Sequence, residues 1–92
     1  MEPLGPDMTS IEVPEIYRDA LKQWQSGNFP DRIELGGVRR TDASALALLL
    51  DWQARARSAG RSLSFDNPPE SLLMLAQLSQ ASQLLGWPVR EE

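Results

Sequence analysis

The 92-residue sequence contains neither histidine nor cysteine. Zinc sites, Cys or His catalysis, disulfide scaffolds and thiol redox chemistry usually depend on those residues, so the chain lacks their ordinary basis. Lys22 is the only lysine and has no serine motif beside it, which leaves a Ser–Lys nucleophile unsupported. No glycine spacing completes a phosphate-binding loop. We therefore expect no catalytic site, no metal and no cofactor.

Basic charge and long apolar runs are also scarce. Nine Lys and Arg residues against thirteen Asp and Glu residues give a net charge of −4, which argues against a nucleic-acid partner. The longest apolar run, Ala45 to Leu50, is far shorter than the roughly 20 residues that span a bilayer, and no signal segment opens the chain. We expect a soluble, cytoplasmic protein without direct membrane insertion, folded as a single domain over residues 1–92.

The order of predicted elements indicates an α/β fold. In sequence order they are a helix from Pro14 to Ser26-Gly27, a strand at Arg32–Leu35, a connection at Val38–Asp42, a helix at Ser44–Ser58, a strand at Ser62–Phe65, a helix at Glu70–Leu78 and a turn near Ala81–Leu85. Two strands separated by a helix should be parallel. We expect a small, mainly parallel sheet of up to four strands with helices packed on it, residues 1–9 loose or a short strand, and residues 88–92 a frayed tail.

The second helix is apolar on two faces. Leu46, Leu49 and Leu50 form one face, and a second face about a hundred degrees away holds Ala45, Leu48 and Trp52. A helix on a small sheet needs only one buried stripe. The second face therefore meets either a neighbouring helix of the same domain or another protein. Either Asp42 or Ser44 would serve as the N-cap of this helix.

The stretch from Arg32 to Leu50 resembles the STAS domain, the family named for sulfate transporters and anti-sigma factor antagonists. It is similar to that family's pattern of a strand, a short loop, Asp followed by Ser or Thr, small residues and a Leu-rich helix. Pro69 to Leu85 is similar to the family's third helix and closing turn. Within the family, the Leu-Ala-Leu-Leu-Leu run at Leu46 to Leu50 is most similar to the short MlaB type.

The resemblance implies a cytoplasmic, non-enzymatic subunit bound to the ATPase of an ABC transporter, and so peripheral to the inner membrane. That transporter moves phospholipid between the two membranes of Gram-negative bacteria and maintains outer-membrane lipid asymmetry. The resemblance places the contact at the loop and the start of the second helix. With the second apolar face included, the expected partner-binding residues are Thr41, Asp42, Ala43, Ser44, Leu48 and Trp52.

Two departures from the family pattern affect function. The hydroxyl residue that accepts phosphate in anti-sigma factor antagonists is Ala43 here, so phosphorylation at that position is impossible, and Ser44 is only a weak candidate. The N-terminal strand region is short, which leaves open a homodimer formed through it or a strand supplied by another chain. An anti-sigma factor antagonist is the alternative function, and a small enzyme is a distant third because no group of residues supports one.

Overall fold

The computed structural model describes residues 4–87, so residues 1–3 and the predicted tail at 88–92 lie outside the described part. The elements in chain order are β1 (Asp7–Met8), α1 (Val13–Ser26), β2 (Arg32–Glu34), β3 (Arg40–Thr41), α2 (Ala43–Ser58), β4 (Ser64–Asp66) and α3 (Glu70–Leu78). The predicted α/β class and the three predicted helices are confirmed. The second helix begins one residue earlier than expected, because Asp42 is its N-cap.

The four short strands form two separate parallel pairs. Strand β2 pairs with β4, with Ile33 opposite Phe65, so the predicted parallel pair around the second helix is present. Strand β4 starts two residues later than expected because the chain is still closing α2, where the Arg61 amide donates to the Ala56 carbonyl at 2.8 Å. The other pair is β1 with β3.

The β1–β3 pair corrects the expectation that Val38–Asp42 is a plain connection. The backbone N–H groups of Arg39 and Arg40 both donate to the Pro6 carbonyl, at 2.7 and 3.1 Å. The segment that carries β1 also crosses the turn after β2 closely: a Cβ atom at Gly5, whose φ is +112°, would lie 2.5 Å from the Gly37 carbonyl oxygen. Only glycine fits such a position, so this contact holds the start of β1 in place.

Helix α2 lies at the centre of the hydrophobic core. Both of its apolar faces are buried, including Leu48 at 3% and Trp52 at 0% exposure. The indole of Trp52 meets Phe29 edge to face with ring centroids 5.4 Å apart, and Phe29 in turn stacks on Trp24 at 4.1 Å. The second apolar face is therefore covered by the domain's own α1 and the residues that follow it. The expectation that Leu48 and Trp52 contact a partner is wrong for this fold, because neither side chain reaches the surface.

The closing turn after α3 covers the β2–β4 pair. Ala81, Ser82 and Leu85 are buried, and the Leu85 amide donates to the Ala81 carbonyl at 3.2 Å. The indole N–H of Trp87 then donates to the Phe65 carbonyl at 3.0 Å, a buried hydrogen bond. This bond joins the predicted turn to β4 and so completes the core on that side.

Candidate functional site

Asp42 fixes the geometry of the loop that enters α2. Its Oδ1 atom accepts a hydrogen bond from the Ser44 amide at 2.8 Å, the expected N-cap contact. Its Oδ2 atom accepts from the Ser10 amide at 2.9 Å. These bonds, that of Ser10 foremost, lower the pKa of Asp42 because they favour the ionised carboxylate. One side chain therefore joins the turn before α1 to the first turn of α2.

The turn before α1 is itself a built structure. The Thr9 amide and hydroxyl both donate to Glu12 Oε1, at 2.9 and 2.6 Å, so one carboxylate holds the first residue of the turn at two points. The hydroxyl bond is the main reason that the pKa of Glu12 is lowered. Ile11, at the tip of this turn, is 82% exposed. A large apolar side chain is thus held in solvent next to the Asp42 loop by a rigid turn.

On its other side the loop is joined to α3. The hydroxyl oxygens of Thr41 and Ser71 lie 3.1 Å apart in a hydrogen bond. Ser71 is in the first turn of α3, and Met74 and Leu78 follow it at three and seven residues, on the same helix face. Their side chains are 52% and 79% exposed. A second pair of exposed apolar residues therefore extends from the loop.

Between these two features, the exposed residues in the first two turns of α2 are alanines. Ala43 and Ala47 are exposed and lie one helical turn apart at the start of α2. A surface without long side chains lets a partner approach the helix backbone closely. We name the exposed apolar residues Ile11, Ala43, Ala47, Met74 and Leu78 the loop surface.

The structure brings together four of the six predicted site residues. Ala43 is exposed, whereas Thr41, Asp42 and Ser44 are half-buried through the contacts described above. Leu48 and Trp52 lie in the core. Six further residues lie on the loop surface or are bonded to the loop, and sequence reasoning did not place them there: Ser10, Ile11, Ala47, Ser71, Met74 and Leu78. The Thr9-x-x-Glu12 pattern was a readable signal for the turn, but its position beside Asp42 follows from the β1–β3 pairing.

Among residues 4–87 there is no group of three or more Asp or Glu residues placed to hold a metal ion. In the same part of the chain, no helix is both long enough and apolar enough to cross a membrane. Ser44, the hydroxyl residue next to Ala43, donates its backbone amide to Asp42 Oδ1 at 2.8 Å and so stands directly beside that carboxylate. A phosphate there would stand next to a carboxylate, and the two negative charges would repel each other.

We expect that a serine kinase of the anti-sigma type leaves this loop unphosphorylated. Ala43 has no hydroxyl, and Ser44 stands beside the Asp42 carboxylate in the first turn of α2. Intact-mass spectrometry after incubation with the kinase and ATP should show the unmodified chain. An Ala43→Ser variant is the positive control, because phosphate on its new hydroxyl would show that the kinase can reach the loop. Stoichiometric phosphate on Ser44 of the parent would contradict the prediction.

The lowered pKa of Asp42 predicts a defined loss of stability in acid. A carboxylate whose folded-state pKa is depressed stabilises the fold above its unfolded pKa of about 3.9, and this stabilisation is lost as pH falls through the lower folded pKa. Asp42→Asn should melt at a lower temperature than the parent at pH 7, with the gap narrowing below about pH 4. The pKa of Glu12 is lowered as well, so Glu12 leaves part of the pH dependence of stability in the Asp42→Asn variant. Parallel curves for parent and Asp42→Asn would refute the assignment.

Comparison with known proteins gives one result. A family model described as "Mlab, STAS domain" matches residues 4–86, which is most of the chain and includes the β1 segment, the loop, α2 and α3. The comparisons with curated proteins and with solved structures give no match.

Proposed function

Since this chain belongs to the STAS domain family of the Mlab type, we propose that it is a non-enzymatic subunit that binds the ATPase of a phospholipid-transporting ABC system. In this role it contributes to maintaining the lipid asymmetry of the outer membrane. It is located in the cytoplasm and is peripheral to the inner membrane through its partner. The family membership supports a STAS subunit, and the ATPase and the lipid come from the resemblance described for the Arg32–Leu50 stretch.

The observation that carries the proposal is the exposed methyl group of Ala43 at the centre of the loop surface. A switchable antagonist needs a phosphoacceptor there, and this chain offers an apolar contact instead. A contact that cannot be phosphorylated at its centre suits a permanent subunit of a complex. The anti-sigma factor antagonist is disfavoured for a further reason: the hydroxyl residue directly after Ala43, Ser44, stands beside the Asp42 carboxylate, which would repel a phosphate.

The loop surface also has the make-up of a protein contact. Ile11 and Leu78 are highly exposed apolar residues. Burial of such side chains by a partner stabilises the complex by about 25 cal/mol per Å² of apolar surface. The Asp42 and Thr41 hydrogen bonds hold the loop in one conformation before binding. A preorganised surface loses less conformational entropy on association, so more of the contact energy appears as affinity.

The test is the composition of the complex that the chain forms in its own host. A chain with an affinity tag at the C-terminus is purified from detergent-solubilised cells, and the captured proteins are identified by mass spectrometry and quantified. We expect an ABC ATPase in near-stoichiometric amount, accompanied by its permease. Recovery of a sigma-factor-directed kinase in its place would overturn the proposal in favour of the regulatory alternative.

A further inference from the structure

A groove of about 920 Å³ runs between the β1 segment and α1, away from the buried face of that helix. The β1 side is lined by Leu4, Gly5 and Asp7. The α1 side is lined from Glu12 to Gln23, along about 16 Å at 1.5 Å per residue. An extended chain rises about 3.3 Å per residue, so the groove has the length of roughly five residues of a strand.

One wall of this groove is an unpaired strand edge. Within residues 4–87, β1 pairs only with β3. Pro6 directs its carbonyl toward β3, where it accepts from the Arg40 amide. Because successive residues of a strand point their N–H and C=O groups to opposite edges, those of Asp7 point away from β3. Asp7 lines the groove, so its backbone groups are offered to an incoming strand.

The charge of the lining selects the occupant. The carboxylates of Asp7, Glu12, Glu15 and Asp19 line the groove against a single ammonium group, that of Lys22. Apolar contacts come from Leu4, Ile11 and Ile16. A segment that fits must therefore place basic side chains toward the carboxylates and apolar side chains toward the floor. A second copy of this chain carries a net charge of −4 and complements the groove poorly.

We propose that the groove between β1 and α1 binds an extended segment of a partner protein, in which Lys or Arg alternates with apolar residues, as a strand added to β1. Strand addition supplies affinity through main-chain hydrogen bonds, and the groove supplies specificity through alternate side chains. The groove and the loop surface share Ile11, but the unpaired edge of β1 and the carboxylate residues belong to the groove alone. The proposal therefore stands or falls separately from the ATPase assignment.

A fluorescein-labelled, capped octapeptide of alternating Lys and Val, titrated with the chain at low salt, tests the proposal by fluorescence anisotropy. We expect saturable binding that weakens as ionic strength rises. Glu15→Gln combined with Asp19→Asn should weaken binding by about 5-fold or more, since two carboxylate contacts are removed. The matched control is Gln25→Lys combined with Asn28→Lys, which changes net charge by the same amount at exposed positions outside the groove lining. This control should bind nearly as the parent does.

Amide hydrogen exchange on the same complex tests the added strand. The Asp7 amide should exchange more slowly with the Lys-Val peptide bound, and an octapeptide of alternating Glu and Val should neither bind nor protect it. Equal binding of the two peptides, or equal loss of affinity in the control variant, would overturn the charge assignment. Binding without protection of Asp7 would overturn strand addition. A concentration-dependent dimer that already protects Asp7 without peptide would assign the groove to a second copy and overturn the proposal.

Discussion

Replacing Ala43 with Arg should abolish co-purification of the ATPase while leaving the domain folded. Ala43 is exposed at the first position of α2, so a long side chain there meets solvent in the free domain. In the complex the same side chain would be buried without a partner charge or would hold the two surfaces apart. The cost to the free domain should stay within about 0.5 kcal/mol, including the weak repulsion from the positive end of the α2 dipole. Affinity should fall by 100-fold or more.

Thermal melting of the isolated variant and quantitative co-purification measure these two effects separately. Ala54→Arg is the matched control, because Ala54 is an exposed residue near the other end of the same helix. It should retain the partner. Ala43→Glu adds a charge that suits a helix N-terminus, so loss of binding in this variant as well would exclude helix destabilisation as the cause. Full recovery of the ATPase with Ala43→Arg would remove the loop from the interface.

Trp52→Ala should cost about 3–5 kcal/mol of unfolding free energy, the largest effect on stability that we expect from one substitution. Trp52 is fully buried, and its edge contact with Phe29 would be lost together with its volume. A domain of this size has roughly 5–14 kcal/mol of stability in total, so the variant should melt at least about 12 °C lower. Urea denaturation followed by circular dichroism gives the free-energy difference.

Trp52→Phe provides the comparison for the indole. The Nε1 atom of Trp52 is buried without a hydrogen-bond partner among the described residues, so phenylalanine removes an unsatisfied donor along with the second ring. The loss should be about 1–2 kcal/mol. If Trp52→Ala melted like the parent but lost the ATPase, the second apolar face of α2 would belong to the interface after all, against its burial in the domain.

The helices of this fold could be predicted from sequence because single proline and glycine residues mark where helices begin and end. Pro14 marks the first turn of α1, and Gly27 ends it with φ of +78°; Pro69 directly precedes α3. The Ile33 strand shows strict alternation, and the helix between the strands sets the parallel pairing. Strand β1 has two residues and follows a proline, so no periodicity could reveal it.

The site was predictable only where its residues are contiguous in sequence. The loop from Thr41 to Ser44 follows from the family pattern, and the Asp42 cap follows from residue type. The contributions of Ile11 and Met74 depend on bonds that span 32 and 30 residues, from Ser10 to Asp42 and from Thr41 to Ser71. The face containing Leu48 and Trp52 was wrongly assigned to a partner contact. An apolar pattern predicts that a helix face is buried, but it does not identify whether the same domain or another protein buries it.

The hydrogen bond from the Ser10 amide to Asp42 joins the turn that lines the groove to the loop surface. Glu12 lines the groove and is hydrogen-bonded to Thr9 in the turn before α1. Ser10, in the same turn, donates its amide to the Asp42 carboxylate, which caps α2. An occupant of the proposed groove site would contact the turn that contains Ser10. A partner on Ala43 would contact the residue next to Asp42, which accepts the hydrogen bond from the Ser10 amide. The coupling free energy between two binding sites is reciprocal. If an occupant of the groove raises the affinity of the loop surface for its partner, that partner raises the affinity of the groove by the same factor.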